Sequence, residues 1–191
     1  MTSSTGGDGY QRGDSAPQVL EPGAAIGRWS LDVARSRVEF RVKHLWHAVT
    51  VRGGFGRIQG EVTVAEQGAV TGEISITAAS VNTWNAPRDR HLQSADFFDA
   101  QRHPLIVFTI TGAKPLRASS LAVQGMLQVA GRSNPLAFNA GVRDISADEV
   151  TIVADFLVDR TDFGMTWSPL RVASRKASVH AVARFIRMGP A

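Results

Sequence analysis

The chain has 191 residues, which suits one domain with a sizeable core. Its 43% hydrophobic and 20% charged residues are typical of a globular protein and not of a disordered one. The absence of cysteine excludes disulfides, thiolate catalysis and cysteine-ligated metals. The net charge of +4 does not predict a nucleic-acid partner, because exposed aromatic residues interleaved with Lys and Arg are lacking. The basic residues that follow Asp162 could meet an anionic lipid or phosphate, although such a face is more often only solvated.

Residues 1–25 are rich in Ser, Thr, Gly, Pro, Asp and Gln, and they lack the apolar surface that would offset the entropy of ordering them. We therefore expect a mobile tail over 1–25 and a folded domain over 26–191. The tail has no apolar run of the length that a secretory signal needs, and no stretch reaches the roughly 20 apolar residues of a membrane span. These features predict a cytoplasmic protein with no integral membrane span.

From residue 37 onward, hydrophobic and polar residues alternate with the period of a half-buried strand. In the segment 37–43, for example, Val38, Phe40 and Val42 share one face and four charged residues share the other. Further strand candidates are centred on Val49 and Val51, on Val62 and Val64, and on the ranges 72–77, 105–110, 121–129, 136–142, 150–158 and 178–186.

This many short strands, with no helical period longer than a few turns, predict an all-β barrel or sandwich. The glycine-rich bend at 53–60 fits strongly curved strands, and closure of the sheet removes its exposed edges, so we predict an antiparallel barrel of about eight strands. Turns are expected at 112–115, 131–135 and 146–148. Several alanines lie in strand candidates. If they point inward the barrel is underfilled and contains an apolar cavity, and the sequence leaves their direction open.

The segment 85–99, which reads Asn-Ala-Pro-Arg-Asp-Arg-His-Leu-Gln-Ser-Ala-Asp-Phe-Phe-Asp, is a charged and aromatic island between two strand candidates. One interpretation is a catalytic site in which His91 acts with Asp89 or Asp96. A second is a short helical segment near 88–99 that its apolar residues pin onto the barrel, and a third is a lid that contacts a ligand. The catalytic interpretation is weakened because the sequence contains no nucleophile elbow around a serine.

Two other patterns predict structure more readily than chemistry. His44 and His47 are three residues apart, so in a strand they lie on opposite faces, and we predict no metal site there. An Asp-Phe-Gly triplet at 162–164 is also a protein-kinase motif, but the sequence lacks the catalytic loop and the strand lysine that accompany it in kinases. We expect Phe163, Met165 and Trp167, in and after that triplet, to plug one end of the barrel.

Several blocks of the sequence together carry a family pattern. They are Trp29-Ser-Leu-Asp32, Ser36-Arg-Val-Glu-Phe-Arg-Val-Lys-His-Leu45, Val51-Arg-Gly-Gly-Phe-Gly56, Val81-Asn-Thr83, Arg88-Asp-Arg-His-Leu-Gln-Ser-Ala-Asp-Phe-Phe-Asp99, His103-Pro104, Val123-Gln-Gly-Met-Leu-Gln-Val-Ala-Gly131 and Asp162-Phe-Gly-Met165. In this order they resemble the YceI family of lipocalin-like, polyisoprenoid-binding proteins over roughly residues 29–186. The most specific part is the block at 88–99 combined with Lys-His-Leu upstream. The chain departs from the family at 131–135, where Ser replaces the usual Thr of a Gly-x-Thr-x-Pro turn.

The resemblance implies an extended, antiparallel, eight-stranded lipocalin-like barrel over 26–191, whose apolar bore holds a long isoprenoid or a similar amphiphilic chain. It implies no catalytic residues and often a homodimer, and no cofactor is expected apart from the cargo, such as a quinone or a prenyl phosphate. The apolar side chains expected to line the bore are Val38, Phe40, Val42, Phe55, Ile74, Ile76, Phe108, Ile110, Phe138 and Phe156. A polar or phosphorylated head group would stay near the mouth, where the cationic candidates are Lys43, His44, Arg90 and His91.

Three functions remain open from the sequence. The leading hypothesis is a non-catalytic carrier that binds a polyisoprenoid or similar amphiphilic lipid in the bore. The second is an enzyme acting on a small amphiphile through His91 with Asp89 or Asp96. The third is a dimeric structural or stress-response protein whose barrel is filled by side chains.

Overall fold

The computed structural model describes residues 25–44, 49–117, 119–168 and 173–189. The strands in these ranges are β1 (Gly27–Leu31), β2 (Arg37–His44), β3 (Val49–Phe55), β4 (Ile58–Val64), β5 (Val70–Thr77), β6 (Val81–Asn82), β7 (Leu105–Arg117), β8 (Ser120–Val129), β9 (Arg132–Arg143), β10 (Glu149–Asp159) and β11 (Ala173–Arg187), and the helix is α1 (Ala86–Gln93). The tail predicted over 1–25 lies outside the described residues except for Ala25. Within the described ranges, no helix is long and apolar enough to cross a membrane.

Two strands of the barrel wall are bent. The first consists of β1 and β2, and the second consists of β3 and β4. One turn of 3₁₀ helix at Val33–Arg35 separates β1 from β2, and the Asp32 carboxylate caps it by accepting from two backbone N–H groups of the turn. Only Gly56 and Arg57 separate β3 from β4. Because β1 pairs with β4 and β2 pairs with β3, the two bent strands run side by side along the barrel.

The sheet closes on itself as a ring of eight antiparallel strands. Around the ring, β1, β4, β5, β7, β8, β9, β10 and β11 follow one another, and β1 also pairs with β11. The last strand has 15 residues because one of its edges pairs with β10 while its other edge pairs first with β2 and then with β1. The predicted eight-stranded antiparallel barrel with one short helical segment is confirmed.

Two predicted turns differ from the structure, because the chain stays extended at 112–115 and turns over fewer residues than predicted at 131–135. Residues 112–115 belong to β7, whose register shifts after Ile110 and again after Pro115, and these irregularities accommodate a glycine and a proline inside a strand. The turn predicted at 131–135 is shorter than expected. It consists of Ala130 and Gly131, both at positive φ (48° and 75°), and β9 begins at Arg132.

One end of the barrel is closed by a packed cluster. Phe163 and Met165 are buried there against Ala78, Ile106 and Val129, as predicted for the segment after β10. Trp167 is 43% exposed, so it lies at the edge of this closure and is not part of the buried cluster.

Candidate ligand-binding cavity

The barrel encloses a cavity of about 1590 Å³ that extends along its bore. Typical small-molecule pockets have about 300–1,000 Å³, so this cavity suits a longer ligand. Its wall is formed by inward-facing residues that alternate with outward-facing ones along each strand, as a barrel requires. The cavity has two chemically different ends. We call them the Arg160 end, which is covered by α1 and the segment after β10, and the Lys114 end, at the β7–β8 hairpin.

All ten apolar residues predicted to line the bore lie in the cavity wall. They are Val38, Phe40, Val42, Phe55, Ile74, Ile76, Phe108, Ile110, Phe138 and Phe156. Their contact with a ligand stays a prediction, but their common orientation follows from the period-two pattern of the strands that carry them.

Three of these residues form an aromatic layer across one side of the wall. The ring centroids of Phe108 and Phe138 are 5.7 Å apart, and those of Phe138 and Phe156 are 4.5 Å apart with nearly parallel planes. Phe108 lies on β7 and Phe138 on β9, and β8 separates the two strands. The Phe108 ring reaches across β8 because Gly125 has no side chain there: a Cβ on Gly125 would lie 2.8 Å from that ring.

Beside the aromatic layer, small side chains leave the bore open. Ala140, Ala154 and Ala181 are directly opposite one another on β9, β10 and β11. Ala154 and Ala181 line the cavity, and Ala140 is buried against Ala154. The sequence left the direction of these alanines open, and the structure places this row inward, whereas Ala137 is exposed.

The segment 85–99 covers the Arg160 end as a short helix followed by turns. Asn85 caps α1 by accepting from the backbone N–H of Arg88 at 3.0 Å. The Asp89 carboxylate accepts from the backbone N–H and the hydroxyl of Thr83, at 2.9 and 2.5 Å. Arg88 donates through Nε to the same hydroxyl at 2.7 Å. These bonds tie α1 to the end of β6, so Asp89 has a structural role here.

His91 lies on the side of α1 that faces the cavity. Its Nε2 is 2.9 Å from Asp96 Oδ2, and its ring makes edge contacts with Phe97 and Trp167, at centroid distances of 5.1 and 4.3 Å. The hydroxyl-bearing residues in the described cavity wall are Thr111, Ser120 and Ser146, and all three lie toward the Lys114 end. The His91 and Asp96 pair therefore has no serine or threonine of the described wall beside it.

The other predicted head-group contacts are not placed at the cavity. Lys43 follows Val42 on β2 and is exposed on the outer face, because neighbouring residues of a strand point to opposite sides. Arg90 is exposed on α1. Both residues were expected beside a head group at the mouth of the bore, and neither lies in the cavity wall. The side chain of His44 and the whole of His47 lie outside the described part of the structure. Among the described residues, no group of three or more His, Asp or Glu side chains could hold a metal ion.

The cationic residue that the sequence reasoning missed is Arg160. It follows β10 directly and continues the inward alternation of that strand, in which Phe156 and Val158 also line the cavity. Its side chain lines the cavity and is only 7% exposed. Burial lowers the pKa of the Arg160 guanidinium, and the charge of neighbouring Asp159 opposes this effect. Extending the period-two pattern past residue 158 is the signal that would have identified it.

The Lys114 end is open to solvent. Lys114, Leu116 and Arg117 line the cavity and are all exposed, and Leu116 is 51% exposed. Exposed Gln67 and Gly68 line the cavity from the facing β4–β5 loop. A ligand could therefore enter between these two loops.

Comparisons with known proteins agree with this architecture. The model of the YceI-like domain family matches residues 29–185. A UPF0312 protein of Vibrio cholerae is 29% identical over 109 residues, which cover 56% of this chain and 57% of the relative. A UPF0312 protein of Pectobacterium carotovorum is 32% identical over 105 residues, 54% of each chain. The matches therefore span little more than half the length of these curated relatives.

Two solved structures share the fold. BcnA of Burkholderia cenocepacia superposes with a TM-score of 0.73 at 18% identity, covering 81% of this chain and 98% of that one. A polyisoprenoid binding domain from Saccharophagus degradans, implicated in plant cell wall breakdown, has a TM-score of 0.71 at 18% identity and covers 84% and 98%. At these identities the likeness concerns the fold.

Proposed function

The chain belongs to the YceI-like family, and from that membership we propose that it binds an amphiphilic lipid with a long apolar chain, of the polyisoprenoid type, inside its barrel without converting it. The observation that supports this proposal is the continuous apolar cavity of about 1590 Å³. A polyisoprenoid binding domain has the same fold, which adds support at the level of the family.

Transfer of an apolar chain from water into this cavity is favourable by about 25 cal/mol for each Å² of buried surface, before the cost of immobilising the chain. The bore is already open, because its alanine row leaves space that side chains do not fill. Little of the transfer free energy is therefore spent on rearranging the protein. A barrel filled by its own side chains would have no such volume, so the cavity favours a carrier over a purely structural barrel.

An enzymatic role has less support. Asp89 is engaged by Thr83, and His91 is paired with Asp96 without a hydroxyl nucleophile of the described wall nearby. A homodimeric assembly and a cytoplasmic location stay predictions from the sequence and the resemblance, and size-exclusion chromatography with light scattering would test the first.

The test is native mass spectrometry of the purified protein, followed by denaturation and identification of the released molecule. We expect a bound species with a prenyl-type chain, or uptake of added geranylgeraniol by protein that was purified without lipid. The variant Phe108→Asp places a carboxylate in the apolar bore and should abolish retention. The matched control Thr109→Asp changes the next residue of β7, which is exposed on the outer face, and should retain lipid.

Circular dichroism establishes whether each variant keeps its β spectrum. Undiminished retention by folded Phe108→Asp would refute the assignment of the bore. A clean unliganded mass, combined with no uptake of geranylgeraniol or of its phosphate and carboxylate analogues by the unmodified protein, would refute lipid binding itself.

A further inference from the structure

We propose that the Arg160 end of the cavity receives an anionic head group, a phosphate or a carboxylate, so that the lipid lies with its head buried and its tail directed toward the Lys114 end. This inference rests on the proposed lipid binding and adds to it the chemical class and the orientation of the ligand.

The Arg160 guanidinium is held rigidly and has one nitrogen left to bind a ligand. Its Nε donates to the carbonyl of Ser174 at 2.9 Å, and its Nη1 donates to the carbonyls of Met165 and of Trp167, the latter at 3.1 Å. Among the described residues, Nη2 has no hydrogen-bond partner. Because the residue is 7% exposed and lines the cavity, a ligand in the bore is the natural acceptor for this nitrogen.

The positive charge of Arg160 is not neutralised by an ion pair within the described part of the chain. The nearest carboxylate in sequence, Asp159, is already occupied. Its Oδ1 accepts from the backbone N–H and hydroxyl of Thr161, at 3.0 and 2.6 Å, and its Oδ2 pairs with Arg175 at 3.2 Å. The connecting segments 45–48 and 169–172 contain neither Asp nor Glu in the sequence.

Backbone carbonyls and the nearby charge of Asp159 stabilise the guanidinium only in part, and a buried charge without a direct ion pair is costly. An anion in the cavity would offset part of this cost and form charge-assisted hydrogen bonds. A neutral alcohol or quinone would supply an acceptor but no counter-charge. The buried site therefore favours a phosphate or carboxylate over a neutral head on the same chain.

Neighbouring residues give the site a polar side. Trp167 connects Arg160 to His91, because its carbonyl accepts from Arg160 and its indole ring contacts the imidazole. Arg88 also lines the cavity, with its Nε and Nη2 bonded to Thr83. At the opposite end, Lys114 and Arg117 are exposed, and water already solvates their charges, so they should discriminate little between anionic and neutral heads.

The experiment compares three probes with the same apolar chain: geranylgeranyl monophosphate, geranylgeranoic acid and geranylgeraniol. Their dissociation constants are measured with lipid-free protein by native mass spectrometry and by displacement of a fluorescent fatty acid. We expect the phosphate, the carboxylate or both to bind about tenfold to a hundredfold more tightly than the alcohol, the range set by one or two hydrogen bonds to a charged group. The anion with the lower dissociation constant indicates whether the site is suited to a phosphate or to a carboxylate head group.

Three variants locate the effect. In Arg160→Gln this selectivity should fall to roughly threefold or less, while binding of the alcohol persists; Arg160→Lys keeps the charge and should retain part of it. The double variant Lys114→Gln with Arg117→Gln should keep it fully. Selectivity is the ratio of the dissociation constants of the alcohol and of the anions. A general loosening of the segment that Arg160 anchors would weaken binding of all three probes and leave this ratio unchanged.

Equal binding of alcohol and anions by the unmodified protein would overturn the head-group inference and leave lipid binding intact. Loss of selectivity in the Lys114 and Arg117 variant, with retention in Arg160→Gln, would reverse the orientation and likewise overturn it. Failure of all three probes to bind would instead refute the proposed function together with this inference.

Discussion

Narrowing the bore at the alanine row should weaken lipid binding without unfolding the barrel. Ala181 on β11 faces the cavity between Ala154 and Val38, its directly opposite partners on β10 and β2. The substitution Ala181→Phe adds a phenyl ring at this level. If a bound chain recovers half of the displaced contacts by shifting, about three methylene equivalents are lost. At about 0.8 kcal/mol for each, the loss is about 2.4 kcal/mol, or a roughly fifty-fold higher Kd.

The assay is titration of lipid-free protein with geranylgeraniol, read by native mass spectrometry, with thermal unfolding measured on the same samples. The matched control is Ala137→Phe, the same chemical change on the outer face of β9, where Ala137 is exposed. We expect the control to bind within about twofold of the unmodified protein, since it leaves the bore unchanged. Unchanged affinity in a folded Ala181→Phe variant would refute the reasoning, because it would mean that no ligand passes this level of the bore.

Two further predictions concern stability. Gly125→Ala should destabilise the fold by about 1–3 kcal/mol or more, because the new Cβ would lie 2.2 Å from the carbonyl of Thr109, whereas Gly141→Ala on the next strand, with its nearest neighbour at 3.8 Å, should unfold at nearly the same denaturant concentration as the unmodified protein. Equal midpoints for the two variants would contradict this. The second prediction concerns acid. A hydrogen bond from Arg184 holds the pKa of Glu149 below its usual value. The ionised Glu149 carboxylate therefore contributes fully to stability above about pH 4.5, and this contribution is lost as pH falls through the lower, folded-state pKa. Glu149→Gln should therefore lower Tm near neutral pH and show a smaller further fall between about pH 5 and about pH 3 than the unmodified protein, and parallel Tm curves would count against this linkage.

Much of the barrel was predictable because one physical signal, alternation with period two, is present in most of its strands. The same alternation correctly oriented the ten apolar residues of the wall, since a strand that keeps its register cannot exchange its faces. The turns were less predictable. Proline and glycine at 112–115 indicate a break, but bulges in a curved strand accommodate both, and local composition does not separate these cases.

The polar part of the site was harder to predict, because cationic side chains occur all over the surface. Lys43 and Arg90 were predicted to meet a head group at the mouth, and both are exposed. Arg160 is distinguished by burial and by its carbonyl partners, which come from Met165, Trp167 and Ser174. These contacts form only when the segment after β10 folds back over the barrel end, so they depend on tertiary structure.

The barrel remains folded although side chains do not fill its centre. Among the described residues, no large side chain is less than 2% exposed, so the interior lacks the fully packed core that a barrel of this size could have. Stability comes instead from closure of the sheet between β1 and β11 and from three smaller buried clusters, one around Phe163 and Met165, one around Trp29 and Phe185, and one around Val123 and Ala140. A bound apolar chain would then occupy the place of the missing core. Because such a ligand binds only the folded barrel, stability and occupancy are linked: a hundredfold excess of free ligand over its Kd would add about 2.7 kcal/mol to the free energy of unfolding.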